Sequence, residues 1–180
     1  PITKIGLMRH FPVMRGPPAR GMSTVADIQA WMSEYDRSQV IPAAVDLGDT
    51  CWQRCYASTS SRALATAQSI YAGPIIKTDL LREPVIQPFN TGRLKLPFFG
   101  WRWLLRLAWL TSHSSQRAVK ERFLADIEAV VEMLRNGAGE TTLVVSHAGV
   151  MMFLRKELLR RGFQGPKFRM AEHGRLYVFE

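Results

Sequence analysis

Short apolar runs alternate along this chain with longer stretches in which apolar residues recur every three or four positions. Ile2 to Met8 is a run of strand length, followed by a loop rich in proline and glycine (Pro12, Gly16, Pro17, Pro18, Gly21). Ser23 or Thr24 then caps a helix whose Val25, Ile28, Trp31, Met32 and Tyr35 share one face. Cys51 to Ala57 reads as a second strand. Ser58 to Tyr71 opens on hydroxyls and continues as a helix with Ala63, Leu64, Ala67, Ile70 and Tyr71 on one stripe, and Pro74 to Leu80 is a third strand. The clearest amphipathic helix carries Val119, Phe123, Ile127, Val130, Val131 and Leu134 and stops at Asn136-Gly137. Thr141 to Ser146 is a buried type of strand, Val150 to Arg161 a helix, and Leu176 to Phe179 a last strand. Alternation of this kind predicts an α/β sheet fold. No repeat or low-complexity tract interrupts it.

One segment departs from the pattern. Residues 88–112 hold Phe89, Phe98, Phe99, Trp101, Trp103 and Trp109 beside Arg93, Lys95, Arg102 and Arg106, with no acid. The segment is too short and too charged to span a bilayer, and it reads as an insertion on the α/β frame. Its apolar residues can pack on the sheet with the basic ones in water. It can be a lid over a ligand crevice, or touch a membrane surface through residues 101–110, the least favoured of the three. Its exposed aromatics would equally suit a contact between two copies of the chain.

Composition narrows the class. The 180 residues match one domain, residues 1–180. A chain of this size buries about 70% of its unfolded surface and needs neither metal nor disulfide to make a core. An apolar fraction of 47% argues against disorder. Cys51 and Cys55, placed on one strand, would lie roughly 13 Å apart, too far to bridge, and no second Cys/His pair completes a zinc site. Free thiols and an amino-terminal segment without a signal-peptide pattern point to the cytoplasm. The net charge of +9 favours anionic partners, although no nucleic-acid-binding motif is present.

Three strand-to-loop junctions each deliver polar groups: Arg9-His10, Ser58-Thr59-Ser60-Ser61-Arg62, and Ser146-His147-Ala148-Gly149. Ligands of parallel α/β sheets bind at the carboxyl ends of the strands, so these junctions are expected to converge. Two histidines, two arginines and a helix N-terminus in one crevice make an anion site suited to phosphate chemistry.

These residues resemble the histidine phosphatase superfamily, the phosphoglycerate-mutase-like family. Leu7-Met8-Arg9-His10 is similar to its Arg-His-Gly signature, Ser58-x-x-x-Arg62-Ala63-x-x-Thr66-Ala67 to its second motif, Leu81-Arg82-Glu83 to its acid-bearing segment, and Val145-Ser146-His147-Ala148-Gly149-Val150 to its second-histidine motif. The resemblance implies a three-layer sandwich, a mostly parallel central sheet flanked by helices, with the aromatic and basic insertion after the third strand. It implies a phosphatase in which His10 attacks phosphorus, Arg9, Arg62 and His147 hold the phosphoryl oxygens, and Glu83 is the general acid and base. No cofactor or metal is implied. Ser58 and Ser61 would cap the helix that carries Arg62, and Ser58 would also line the phosphate site. Arg15 or Arg20 could supply further phosphate contacts. The substrate would be a phosphorylated small molecule or a phosphoprotein, and inorganic phosphate or sulfate would occupy the same site.

The sequence also departs from the family. Phe11 and Pro12 follow the first histidine where glycine and a small polar residue are usual, and Pro84-Val85-Ile86-Gln87-Pro88 replaces the customary segment after Glu83. Both departures argue against mutase activity. Phe11 and Pro12, by remodelling the pocket mouth, also keep alive a second reading, a catalytically inactive or weak protein that binds phosphorylated ligands or partner proteins. A basic nucleic-acid or membrane-surface module ranks behind both. His113 and His173 match no motif and are expected to be surface or packing residues.

Overall fold

In a computed structural model, residues 3–18, 20–85, 91–137 and 139–180 are described. The first strand, β1, runs from Lys4 to Arg9; Ile2, at the expected start of this strand, lies outside the described residues. Met22–Ser23 forms the short β2, and helix α1 follows over Val25–Arg37. Thr24 is its cap: the Thr24 hydroxyl accepts from the Asp27 amide while Asp27 returns the bond to the Thr24 amide, a closed capping box.

Strand β3 is Arg54–Ser58 and helix α2 is Ser61–Ile70. Strand β3 therefore starts after Cys51, which is exposed outside any strand, whereas Cys55 is buried in β3. Both thiols are free, and burial pushes that of Cys55 up to about 12. Strand β4 is only Ile75–Thr78, because the Thr78 hydroxyl accepts from the Leu80 amide and turns Asp79–Leu81 into a single 3-10 turn. Leu96–Pro97 forms β5, antiparallel to β2. Helix α3 is Phe98–Leu110, α4 is Arg117–Asn136, β6 is Thr141–Ser146, α5 is Ala148–Arg160 and β7 is Leu176–Phe179.

The main sheet has the order β4-β3-β6-β1-β7, parallel throughout except for β7. Alternation along each strand sorts its side chains onto two faces. Ile5, Leu7, Tyr56 and Val144 join Phe123, Ile127, Val130, Val131 and Leu134 of α4 and Leu154 and Leu158 of α5 in one core. Cys55, Ala57, Leu143 and Val145 join Ala63 and Ala67 of α2 in the other. These are the three expected layers, and each buried aliphatic contributes roughly 1.5–3 kcal/mol. Gly6 serves a close approach, since a Cβ there would stand 2.6 Å from Cη2 of Trp52, whose indole caps the second core.

The aromatic and basic insertion is largely helical. Residues 88–90, including Phe89, lie outside the described residues. Beyond them Trp101 is fully buried and its indole N–H donates to the Ser23 carbonyl at 2.6 Å. Phe98 meets Trp31 of α1 edge-on at 4.8 Å, and Trp109 meets Phe123 and Phe153 in the first core.

Candidate active site

Parallel pairing of β1 with β6 sets Arg9 opposite Ser146, and the His10 amide donates to the Ser146 carbonyl at 3.0 Å. The residues next along, His10 and His147, therefore emerge side by side at the carboxyl edge of the sheet. Both are buried, with ring centroids 5.2 Å apart in a T-shaped contact. Strand β3 ends beside them and feeds α2, whose second residue is the buried Arg62.

His10 is held in one tautomer. Its Nδ1 lies 2.6 Å from the Phe11 carbonyl, which can only accept, so Nδ1 carries the proton and Nε2 keeps its lone pair. Arg62 Nε donates to that lone pair at 3.3 Å. Burial pushes the His10 pKa down to about 3, and the Arg62 charge adds to the effect, so the ring is neutral at physiological pH. His147 is pushed down to about 2, again chiefly by burial, with Arg62 and His10 next. Its Nε2 lies 3.0 Å from the Ser58 hydroxyl and 3.3 Å from that of Ser60. Those hydroxyls accept from the Ser60 and Ala63 amides respectively, which frees their protons for His147. Nδ1–H of His147 is then a buried donor with no partner, the kind of group an oxyanion satisfies.

Arg62 is the hub. One terminal nitrogen, Nη1, pairs with Asp36 at 2.6 Å and the other, Nη2, faces Glu83 at 3.8 Å, while the guanidinium lies over the Tyr35 ring at 5.2 Å. Glu83, just past the 3-10 turn, is half-exposed and lies beside the first turn of α5, where a Cβ on Gly149 would be 3.6 Å from its Oε1. Arg9 donates through Nη1 to the Ala171 carbonyl at 3.0 Å and keeps a buried, unpartnered Nε. Burial lowers its pKa, with the Arg62 and Arg102 charges adding to that. Two arginines and the N-termini of α2 and α5 so surround a neutral imidazole.

The structure thus brings together Arg9, His10, Ser58, Arg62, Glu83 and His147. Arg15 is elsewhere: its guanidinium pairs with Glu34 at 2.8 Å and its amide donates to Ser38, while Arg20 is exposed in the loop before β2. The cap of α2 is Ser60, not Ser58 or Ser61; Ser58 instead serves His147, and Ser61 donates to the Asp36 carbonyl. Phe11 is buried, its ring against Gly174, and its amide donates to Thr66, which itself donates to the Arg62 carbonyl. Tyr35, Asp36 and His173 touch this cluster although no motif marks them. His173 Nδ1 donates to the His10 carbonyl at 2.7 Å and its ring stands 5.1 Å from that of His10. Burial lowers the His173 pKa as well. His113 bonds locally to Ser115. Among the described residues, no group of three or more His, Cys, Asp or Glu is placed to hold a metal ion.

The fold is shared with solved structures. A candidate alpha-ribazole-5′-P phosphatase from Escherichia coli aligns over 98% of this chain and 89% of its own, at 17% identity and a TM-score of 0.54. The alpha-ribazole phosphatase from Shigella flexneri aligns over 97% and 89%, at 18% identity and a TM-score of 0.55. No curated protein matches the chain. The family model of the histidine phosphatase superfamily (branch 1) matches residues 18–180, a span that includes Arg62, Glu83 and His147 and begins after Arg9-His10. This chain belongs to the histidine phosphatase superfamily.

Proposed function

We propose that the chain is a phosphatase that hydrolyses phosphomonoesters through a phosphohistidine on His10. The observation that carries this reading is the fixed His10 tautomer: a neutral buried ring with Nδ1–H on the Phe11 carbonyl and the Nε2 lone pair turned to Arg62. A phosphoryl group reaching Nε2 would take over the Arg62 Nε–H as a donor to its oxygens, with Arg9 and the Nδ1–H of His147 as further donors.

In the first step Nε2 attacks phosphorus, the P–O ester bond breaks, and the leaving oxygen takes a proton from Glu83. In the second, Glu83 removes a proton from water, the oxygen attacks phosphorus, and the P–N bond breaks to return the electron pair to Nε2 and release phosphate. Positive charge for both transition states comes from Arg9, Arg62 and the two helix N-termini. The mechanism calls on no metal. The half-exposed position of Glu83 suits a group that must meet a leaving alcohol and then water.

The proposed substrate is a phosphorylated small molecule, with a phosphoprotein as the wider alternative. The phosphatases of similar fold act, by name, on an alpha-ribazole phosphate, also a small phosphomonoester. Helix α3, whose Phe98 packs on Trp31 and whose Arg102 charge is felt at Arg9, borders the crevice and favours a partly apolar leaving group. Hydrolysis of an aryl phosphate with excess chelator tests the reading. Wild type is expected to turn over and to trap an acid-labile, base-stable phosphoryl group, and His10→Ala to do neither. Equal background rates in the two proteins would leave a binder of phosphorylated ligands.

A further inference from the structure

Helix α3 turns apolar residues to both of its sides. Trp101 and Trp109 are buried in the protein, whereas Phe99 is 63% exposed, Trp103 70%, Leu107 58% and Leu110 55%. At about 100° per residue these four fall within an arc of about 80°, with Arg102 and Arg106, also exposed, on one flank. A continuous apolar stripe edged by cations is not what solubility alone requires of a surface helix. Immediately before the helix, Arg93 and Lys95 are exposed around Leu94, and Met22 is exposed on the neighbouring β2.

We propose that this face of α3 seats the protein on an anionic lipid surface, with Phe99, Trp103, Leu107 and Leu110 in the acyl boundary and Arg102 and Arg106 among the headgroups. Three observations select that occupant. The charge is of one sign: between Glu83 and Glu121 the chain carries Arg93, Lys95, Arg102, Arg106, Arg117 and Lys120 and no acid. An antiparallel two-fold pair of α3 helices would gather Arg102 and Arg106 of both copies along one flank with no carboxylate on the face to meet them, so a second copy fits poorly. Third, a large exposed indole beside arginines matches the interface between headgroups and hydrocarbon, where Trp sits with its polar edge wet. Among the described residues no helix is long and apolar enough to cross a membrane, and the 13 residues of α3 would lie along the surface.

The placement has a structural consequence for the crevice. Phe98 meets Trp31 edge-on, Trp31 lies 5.2 Å from Tyr35, and the Arg62 guanidinium lies over Tyr35, so one chain of aromatic contacts links the docked helix to the proposed phosphate site.

The test is sedimentation of the full chain with vesicles of phosphatidylcholine and phosphatidylglycerol, against vesicles of phosphatidylcholine alone. Binding is expected to the mixed vesicles, to weaken with salt, and to fall about fivefold for each of Arg102→Gln and Arg106→Gln. The double variant Trp103→Ser/Leu107→Ser is expected to lose at least tenfold in partitioning while melting at the wild-type temperature. Nitroxide-labelled lipid should quench tryptophan emission in wild type. Trp103→Phe should still sediment and lose most of that quenching. Absence of binding, equal binding to neutral vesicles, or quenching retained in Trp103→Phe would overturn the proposal. So would a concentration-dependent dimer, dispersed by the double variant, in a protein that ignores vesicles.

Discussion

Acid should destabilise this protein through its two buried histidines before it protonates any ordinary carboxylate. His10 and His147 are held at about 3 and about 2 in the folded chain and return to about 6.5 when it unfolds. Below pH 6.5 the unfolded state takes up protons that the folded state refuses, so stability present above 6.5 is lost as pH falls towards the folded values. Between about pH 7.5 and about pH 5 the loss is about 2 kcal/mol for each ring and about 4 kcal/mol for the pair, a large share of the roughly 5–15 kcal/mol that holds a domain folded. Urea unfolding at the two pH values measures it. His10→Asn, whose amide can still donate to the Phe11 carbonyl, should lose about 2 kcal/mol less across the interval than wild type. His147→Gln, which can still reach Ser58 and Ser60, should behave in the same way. Comparing each variant with itself cancels whatever the substitution does at neutral pH, and His173 remains as a common background. A variant that loses as much as wild type across the interval would refute the reasoning, because the rings would then titrate normally in the folded protein.

Other outcomes follow from single contacts. Arg62→Lys should cut kcat/KM for an aryl phosphate by about two orders of magnitude, since one ammonium cannot address His10, Asp36 and Glu83 together; steady-state kinetics reads this. Glu83→Gln should lower kcat about 10²–10⁴-fold, and rapid-quench analysis should find labelled phosphoenzyme accumulating when the leaving group is a phenol. Ser60→Ala removes the α2 cap and should cost about 1 kcal/mol in urea unfolding. Gly6→Ala would drive a methyl into Trp52 and Leu176 and should cost roughly 1–3 kcal/mol in the same assay.

The frame was legible because its periodicities are pure. Helix α4 has one buried stripe, and β1 and β6 are buried through their centres. Helix α3 hid for the opposite reason: with Trp101 and Trp109 facing in and Phe99, Trp103, Leu107 and Leu110 facing out, no single stripe marks a 3.6-residue period. Among four successive hydroxyls, Ser58 to Ser61, residue type cannot choose the cap; only the backbone at Ser60 does. The six clustered site residues were readable from motifs at strand ends. Asp36 and His173 were not, since one reaches Arg62 from the end of α1 and the other reaches His10 across the chain, just before β7. Arg15 was misplaced because a basic loop residue looks the same whether it meets phosphate or Glu34.

The strand that ends at Arg9, just before His10, precedes its sheet partners in the chain yet pairs only with the last two strands of the main sheet. Lys4 lies opposite Thr141 and Ile5 opposite Phe179, so both neighbours of β1 come from the final part of the chain. On the ribosome an emerging β1 has nothing to pair with until β6 has been synthesised, and its apolar run must stay soluble meanwhile. Contacts of such long sequence separation form late and slowly. In refolding, phosphatase activity should therefore return with the sheet's last pairing, making it a reporter of completed folding.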